Sequence, residues 1–287
     1  MPDQELFNPL VERILTKLEL SVHPSADMDG LRSIYGAWCH KVPFDNVRKL
    51  VHLSENLSGP LPGDDACDFF AAWLKYGAGG TCWAGNGALQ ALLVSLGFNA
   101  FRGIATMIVA PNLPPNHGTV LVDCEGGRYI VDASILTGVP MRIDQPEPDA
   151  VCSPSSVHLS YRDERWHIWW QPLHLPAGIE CRIDQFPVTR AEFQQRHEQT
   201  RQWSPFNYQL TIRSMRGNAA VGIGAGQWVE IESNALKQRA ISLPERDKLL
   251  IDTLGIEQEL VARLPADRPT PPPPWSETAK RALEQQH

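Results

Sequence analysis

The stretch GAGGTCWAGNGALQALLVSLGF (77–98) places a cysteine directly after a run of glycines, at the start of an amphipathic pattern. A helix N-terminus offers partial positive charge and unpaired N–H groups, and both favour a thiolate. Cys82 stands there as a candidate nucleophile. Gly79 and Gly80 are expected to leave room above it and to allow positive φ, and Thr81 is positioned to cap the helix. The same features surround cysteines that only pack. A nucleophilic thiol needs a base, and the base needs an orienting group. Of nine histidines, His117 is best placed, since it follows PNLPPN and opens the run GTVLV; Asp132 ends the run RYIVD. A hairpin through Glu125-Gly126-Gly127-Arg128 puts both on one face. If Gly126-Gly127 are the two turn residues, Leu121 lies opposite Asp132, and His117 is about 13 Å out of step at ~3.3 Å per residue. Contact then requires a bulge or a shifted turn. The alternative reading is a loop histidine and a strand-end turn aspartate.

Residues 5 to about 80 read as mostly helical. Leu10, Ile14, Leu18 and Leu20 form an apolar stripe. Ser25 or Asp29 is expected to cap a helix carrying Leu31, Ile34, Tyr35 and Trp38. Asp64 or Asp65 is expected to cap DDACDFFAAWLKYG, which Gly77 ends. Leu89, Leu92, Leu93 and Leu96 give the helix from Cys82 a buried face, and Gly97 stops it. Beyond Gly97 the period changes to short β-branched runs separated by Pro, Asn or Gly. Helix returns over 188–202, followed by the strands YQLTIRSM, AAVGIGA, QWVEIE and KQRAISL and a helix, LPERDKLLIDTLGI. WHIWW (166–170) reads as core packing rather than an aromatic platform. ADRPTPPPPWSETAKRALEQQH reads as an extended strap or mobile end rather than a polyproline ligand. The order of elements implies α+β rather than a parallel α/β sheet.

Composition sets outer bounds. The 287 residues are 43% hydrophobic and 21% charged, as in an ordinary globular protein with ample core. A formal net charge of −7 argues against broad nucleic-acid or anionic-membrane binding. No apolar run approaches the ~20 residues of a membrane span, and the N-terminus lacks a secretory pattern, so a cytoplasmic location is expected. The six cysteines form no CxxC pair and are expected to be free thiols, with no metal site.

The motifs together resemble the arylamine N-acetyltransferases, over about residues 6–264. Gly79, Gly80, Cys82 and Asn86 match that family's cysteine signature; His117 in NHGTVLVD and Asp132 in RYIVDASI match its histidine and aspartate; HKVPFDNV (40–47), RQWSPFNYQLTIRS and the closing LGI are also similar. The resemblance implies a Cys82–His117–Asp132 triad and a ping-pong acyl transfer from a thioester, usually acetyl-CoA, to an arylamine or hydrazine. CoA would be a cosubstrate, with no bound cofactor. It implies a helical bundle (1–97), a central antiparallel β-barrel (98–187) and an α/β lid (188–264) around a cysteine-protease-like core, with a tail at 265–287. The departures are Ala78 for the signature arginine, Thr81 for the aromatic, Ala84 for Glu/Gln, Asp45 in PFDN, Gly118 after the histidine and Ile135 for a pocket phenylalanine. Phe44, Thr81, Gly118 and Ile135 are the expected substrate-binding positions, with the smaller residues 81, 118 and 135 expected to admit a larger group. Two alternatives stay open: an amide synthase taking its acyl chain from a carrier protein, and a non-catalytic scaffold on the same fold.

Overall fold

The computed structural model describes residues 6–20, 23–109, 113–145, 151–152, 156–173, 175, 177–274 and 276. The first part is helical: α1 (Asn8–Lys17), α2 (Met28–Lys41), the two-residue strand β1 (Phe44–Asp45), α3 (Val47–Ser54), α4 (Ala66–Tyr76) and α5 (Cys82–Ser95). Local chemistry sets these boundaries. Asp27, rather than Ser25 or Asp29, caps α2, its carboxylate accepting from Gly30 N at 2.8 Å. Asp65 caps α4 through Cys67 N, and Gly77 ends it in the left-handed region at φ 73°. Trp38, Phe69, Phe70 and Trp73 interlock at ring-centroid separations of 5.4–6.4 Å, so α2 and α4 share one aromatic core. The leucines of α5 join the same cluster.

Eight strands follow in one antiparallel sheet: β2 (Asn99–Met107), β3 (His117–Cys124), β4 (Gly127–Val131), β5 (Met141–Arg142), β6 (Val151–Cys152), β7 (Ser156–Arg162), β8 (Arg165–Trp170) and β9 (Ile179–Gln185). Their order is β5-β4-β3-β2-β9-β8-β7-β6. Among the described residues the end strands β5 and β6 do not pair, so the sheet stays open rather than closing as the expected barrel. One face packs on α5. The other encloses its own core of Leu121, Ile130, Ile168, Trp170 and Cys181, which absorbs Ile168 and Trp170 of the WHIWW run.

The third part holds α6 (Arg190–Gln199), β10 (Thr211–Arg216), β11 (Ala219–Gly224), β12 (Gln227–Glu232), β13 (Ala235–Ala240), α7 (Leu243–Lys248) and α8 (Gln258–Val261). Its meander takes β1 as a fifth strand, Phe44 opposite Arg213 and Asp45 opposite Ile212. The helical part is thereby laced into the last sheet. The proline-rich segment runs as an extended strap: Leu210 N donates to Asp267 Oδ1, Arg268 N to Tyr208 O and Trp203 Nε1 to Pro271 O. The rest of the expected tail, 277–287, lies outside the described residues, as does part of the loop before His117.

The hairpin turn differs from the sequence expectation in a way that matters. The turn residues are Glu125 and Gly126, at φ 46° and 74°, and Cys124 faces Gly127. Val120 therefore pairs with Val131, which puts Asp132 level with Thr119 instead of Leu121. Two residues, about 6.6 Å, then separate it from the level of His117, a diagonal that side chains span. No bulge is needed. Glutamate is strained in this left-handed turn, where asparagine is at ease. Glu125→Asn is accordingly expected to raise unfolding free energy by roughly 0.5–1 kcal/mol, read by urea denaturation; no gain would contradict the turn assignment.

Candidate active site

Cys82 opens α5, with the helical ladder starting at Gly85 N→Thr81 O, 2.8 Å. The N–H groups of Cys82, Trp83 and Ala84 thus lack an intrahelical acceptor. Thr81 occupies the cap position in extended conformation, but its side chain makes no capping bond, contrary to expectation. The glycines also act differently from expectation. Neither Gly79 nor Gly80 has positive φ. They serve close packing: a Cβ on Gly79 would stand 2.0 Å from Pro43 O, and one on Gly80 2.8 Å from Ala84 Cβ. Stripped of side chains, the segment docks on β1, with Asp45 N donating to Gly80 O at 3.1 Å. The buried Asp45 carboxylate accepts from Gly79 N at 2.6 Å and from Val47 N at 3.0 Å. Burial raises its pKa to about 6 against the pull of those two N–H groups. The approach to Cys82 is fixed by this carboxylate.

His117 and Asp132 meet. His117 Nε2 lies 2.8 Å from Asp132 Oδ2, and the two residues are 2% and 1% exposed. The ring also hydrogen-bonds Cys82. The other carboxylate oxygen, Oδ1, accepts from Ser134 N at 2.8 Å and Ile135 N at 3.2 Å, with Asn86 Nδ2 at 3.4 Å. Asn86 Nδ2 donates to Gly118 O at 2.7 Å, and its Oδ1 accepts from Ala133 N at 2.9 Å. One side chain of α5 therefore ties together β3 and the chain leaving β4. From the other side, the Tyr35 hydroxyl bonds both Asp132 O at 2.9 Å and Asp132 N at 3.1 Å. Asn86 carries a sequence signal, since it sits four residues after Cys82 on the same helix face; Tyr35, 97 residues upstream, carries none.

The electrostatics follow from burial and pairing. Burial opposes a charge on His117, but attraction to Asp132 and Cys82 outweighs it and raises the pKa to about 10. Burial likewise pushes Asp132 up, and His117 with the N–H donors brings it below its ordinary value.

The expected pocket positions fare unequally. Phe44 is buried and packs edge-on to Phe206 at 5.3 Å. Thr81 is buried beside Cys82. Gly118 does not open space: a Cβ there would stand 2.5 Å from Phe193 and 2.8 Å from Trp83, two rings in edge contact at 5.0 Å that fill the volume. The expected enlargement is absent at this position. Ile135 packs with Leu121 and Ile130 in the core of the curled sheet, and its N–H rather than its side chain reaches the site. Ala84 is tightly enclosed, since a Cβ on Gly63 would stand 2.6 Å from its methyl, so a longer side chain has no room. Ala78 is fully buried with Leu210, Ile212 and Leu250. Among the described residues no three His, Cys, Asp or Glu side chains gather as metal ligands do.

Because its folded pKa lies above the unfolded ~6.5, charged His117 stabilises the fold below about pH 6.5, and that contribution is lost as pH rises toward about 10. Ring NMR signals of His117 are therefore expected to hold one protonation state from pH 6 to 8. A midpoint near 6.5 would contradict the arrangement.

Comparison with known proteins bears on the family and the fold. The family model described as N-acetyltransferase matches residues 27–239. An arylamine N-acetyltransferase of Mycolicibacterium smegmatis is 27% identical over 177 residues, 56% of this chain and 62% of that one, less than two thirds of its length. Among solved structures, the arylamine N-acetyltransferase from Salmonella typhimurium has a TM-score of 0.75 at 16% identity, over 98% of this chain and 100% of that chain. The Mycobacterium marinum enzyme, solved in complex with CoA, has a TM-score of 0.73 at 15% identity, over 88% and 98%. Among the described residues no helix is long and apolar enough to cross a membrane. By its family match and its fold, the chain belongs to the arylamine N-acetyltransferases.

Proposed function

We propose that the protein is an N-acyltransferase that moves an acetyl or related acyl group from acyl-CoA to a small-molecule amine, an arylamine in the first instance, through Cys82. The observation that carries this reading is the buried His117 ring, bonded at Nε2 to Asp132 and also bonded to a thiol at a helix N-terminus. His117 as imidazolium holds the Cys82 thiolate. The thiolate attacks the thioester carbonyl carbon, and the resulting oxyanion faces the unpaired N–H groups at the start of α5. Collapse breaks the carbon–sulfur bond to CoA, whose thiolate takes the proton from His117. The neutral imidazole then accepts a proton from the amine as its nitrogen attacks the acyl-cysteine. Collapse of that intermediate yields the amide and restores the Cys82 thiolate. Asp132 keeps the ring in one orientation throughout and stabilises its charge.

Within this reading, residues 1–97 supply the nucleophile, 98–187 the base and its partner, and 188–264 the cover, around a core of cysteine-protease type. A reducing, cytoplasmic setting suits a free thiol of this kind. The carrier-protein amide synthase draws no support from position 118, where Trp83 and Phe193 fill the space that the missing side chain leaves.

The test is intact mass after brief incubation with acetyl-CoA. A gain of one acetyl group is expected in the wild type and none in Cys82→Ala. Equal gain in both, or no gain with any acyl-CoA, would overturn the reading.

A further inference from the structure

The turn that carries Asp132 is tied to a helix almost a hundred residues upstream. Leaving β4, the chain turns inward over 132–137. The N–H groups of Ser134 and Ile135 donate to Asp132 Oδ1 at 2.8 and 3.2 Å, and Leu136 N donates to Asp132 O at 3.1 Å. The next N–H, of Thr137, donates to the Tyr35 hydroxyl at 3.3 Å, and Asp132 N donates to the same oxygen at 3.1 Å. The hydroxyl has one proton to give. Asp132 O stands 2.9 Å from it and Thr137 Oγ1 3.1 Å, while Thr137 gives its own hydroxyl proton to Val139 O at 2.8 Å. Tyr35 of α2 thus joins the first and last residues of the turn.

The turn needs such a tie. Leu136 adopts φ 54°, in the left-handed region, while its side chain is fully buried in the core shared with α5. A bulky side chain is strained there, and the strain persists only where the surroundings over-determine the backbone. Asn86 of α5 holds the near side, accepting from Ala133 N at 2.9 Å, and Tyr35 closes the far side. Without the hydroxyl, Asp132 N and Thr137 N lose their acceptor in a buried setting, and Leu136 is released to relax. Relaxation withdraws the N–H groups of Ser134 and Ile135 from Oδ1. The carboxylate then loses its aim at His117 Nε2, which now stands 2.8 Å from Oδ2.

We propose that Tyr35 is a positioning residue of the triad: its hydroxyl closes the turn that aims the Asp132 carboxylate at His117, and through that ring it sets how much of Cys82 is thiolate. The proposal rests on the Cys82–His117–Asp132 reading of the site, and not on the identity of the acyl donor or acceptor. The other titratable groups that interact with the hydroxyl keep one state near neutrality. Burial holds the Tyr35 phenol itself well above its ordinary value. Burial also pushes Cys39, one turn along α2, up to about 12, and brings Arg213 of β10 down only to about 10.

The test is the rate of iodoacetamide alkylation at Cys82, read by peptide mass spectrometry at pH 7 and pH 9.5. It compares the wild type with Tyr35→Phe, with circular dichroism to verify the fold. At pH 9.5 a thiol ionises without help, so the ratio of the rate at pH 9.5 to that at pH 7 isolates what the triad contributes near neutrality. This ratio is expected to rise about fivefold in Tyr35→Phe. A tyrosine that only stabilises the fold would lower the melting temperature and leave the ratio unchanged, and that result would overturn the proposal. Thr137→Val keeps Tyr35 and the shape of residue 137 but removes the hydroxyl between them, and it decides the matter if Tyr35→Phe does not fold. A rise of about twofold is expected there, and no rise overturns the proposal. A wild-type ratio of about thirty, that of an ordinary thiol, would overturn the triad reading itself. A small wild-type ratio that Tyr35→Phe does not change overturns the role of Tyr35 alone.

Discussion

The site depends on a buried carboxylate whose two oxygens both accept hydrogen bonds. Asp132 is 1% exposed, yet its oxygens receive His117, Asn86 and the N–H groups of Ser134 and Ile135, while Tyr35 clamps its backbone. An ionised carboxylate survives burial only when its partners replace the hydration it lost. Those partners come from α2, α5, β3 and the chain leaving β4, so folding and charge placement at this point are one event. The imidazole inherits its orientation from that cluster, and the thiol in turn inherits a cationic neighbour.

A second carboxylate does comparable work on the chain leading to the nucleophile. Asp45 receives Gly79 N and Val47 N and thereby binds the glycine segment to β1, which is itself a strand of the last sheet. Ala78 sits in an apolar cluster where a guanidinium would be stranded. The loss of the larger residue at 84 has a similar origin, since Gly63 and Gly80 press on that methyl. At position 84 a small side chain meets closely approaching glycines, whereas at position 118 a glycine makes room for two aromatic rings.

Much of this was legible in the chain. The amphipathic spacing of α5, the stop at Gly97 and the change of period after it placed Cys82 on a helix and His117 and Asp132 on a hairpin. Facing followed from parity, but contact did not, because it hinged on which two residues form the turn. Glu125 is a poor residue for left-handed backbone, and Gly126-Gly127 looked the better pair; the flanking strand pairing outweighed that preference. A glycine run suggests freedom of φ, whereas its use here is closeness of approach, which depends on Pro43 and Asp45, more than 30 residues away. Gly118 by its type suggests space, but Phe193 of α6 fills it, a contact between elements 75 positions apart that no local pattern reports.

The central claim is that the buried Asp132 carboxylate, acting through His117, sets the reactivity of Cys82. The most direct measurement is the second-order rate constant for iodoacetamide with Cys82 at pH 7 in Asp132→Asn, beside the wild type, with circular dichroism to verify the fold. A drop of at least tenfold in a folded protein is predicted, since the variant removes the charge that sustains the imidazolium. An unchanged rate would mean that the helix N-terminus alone governs the thiol and that the aspartate serves only the fold.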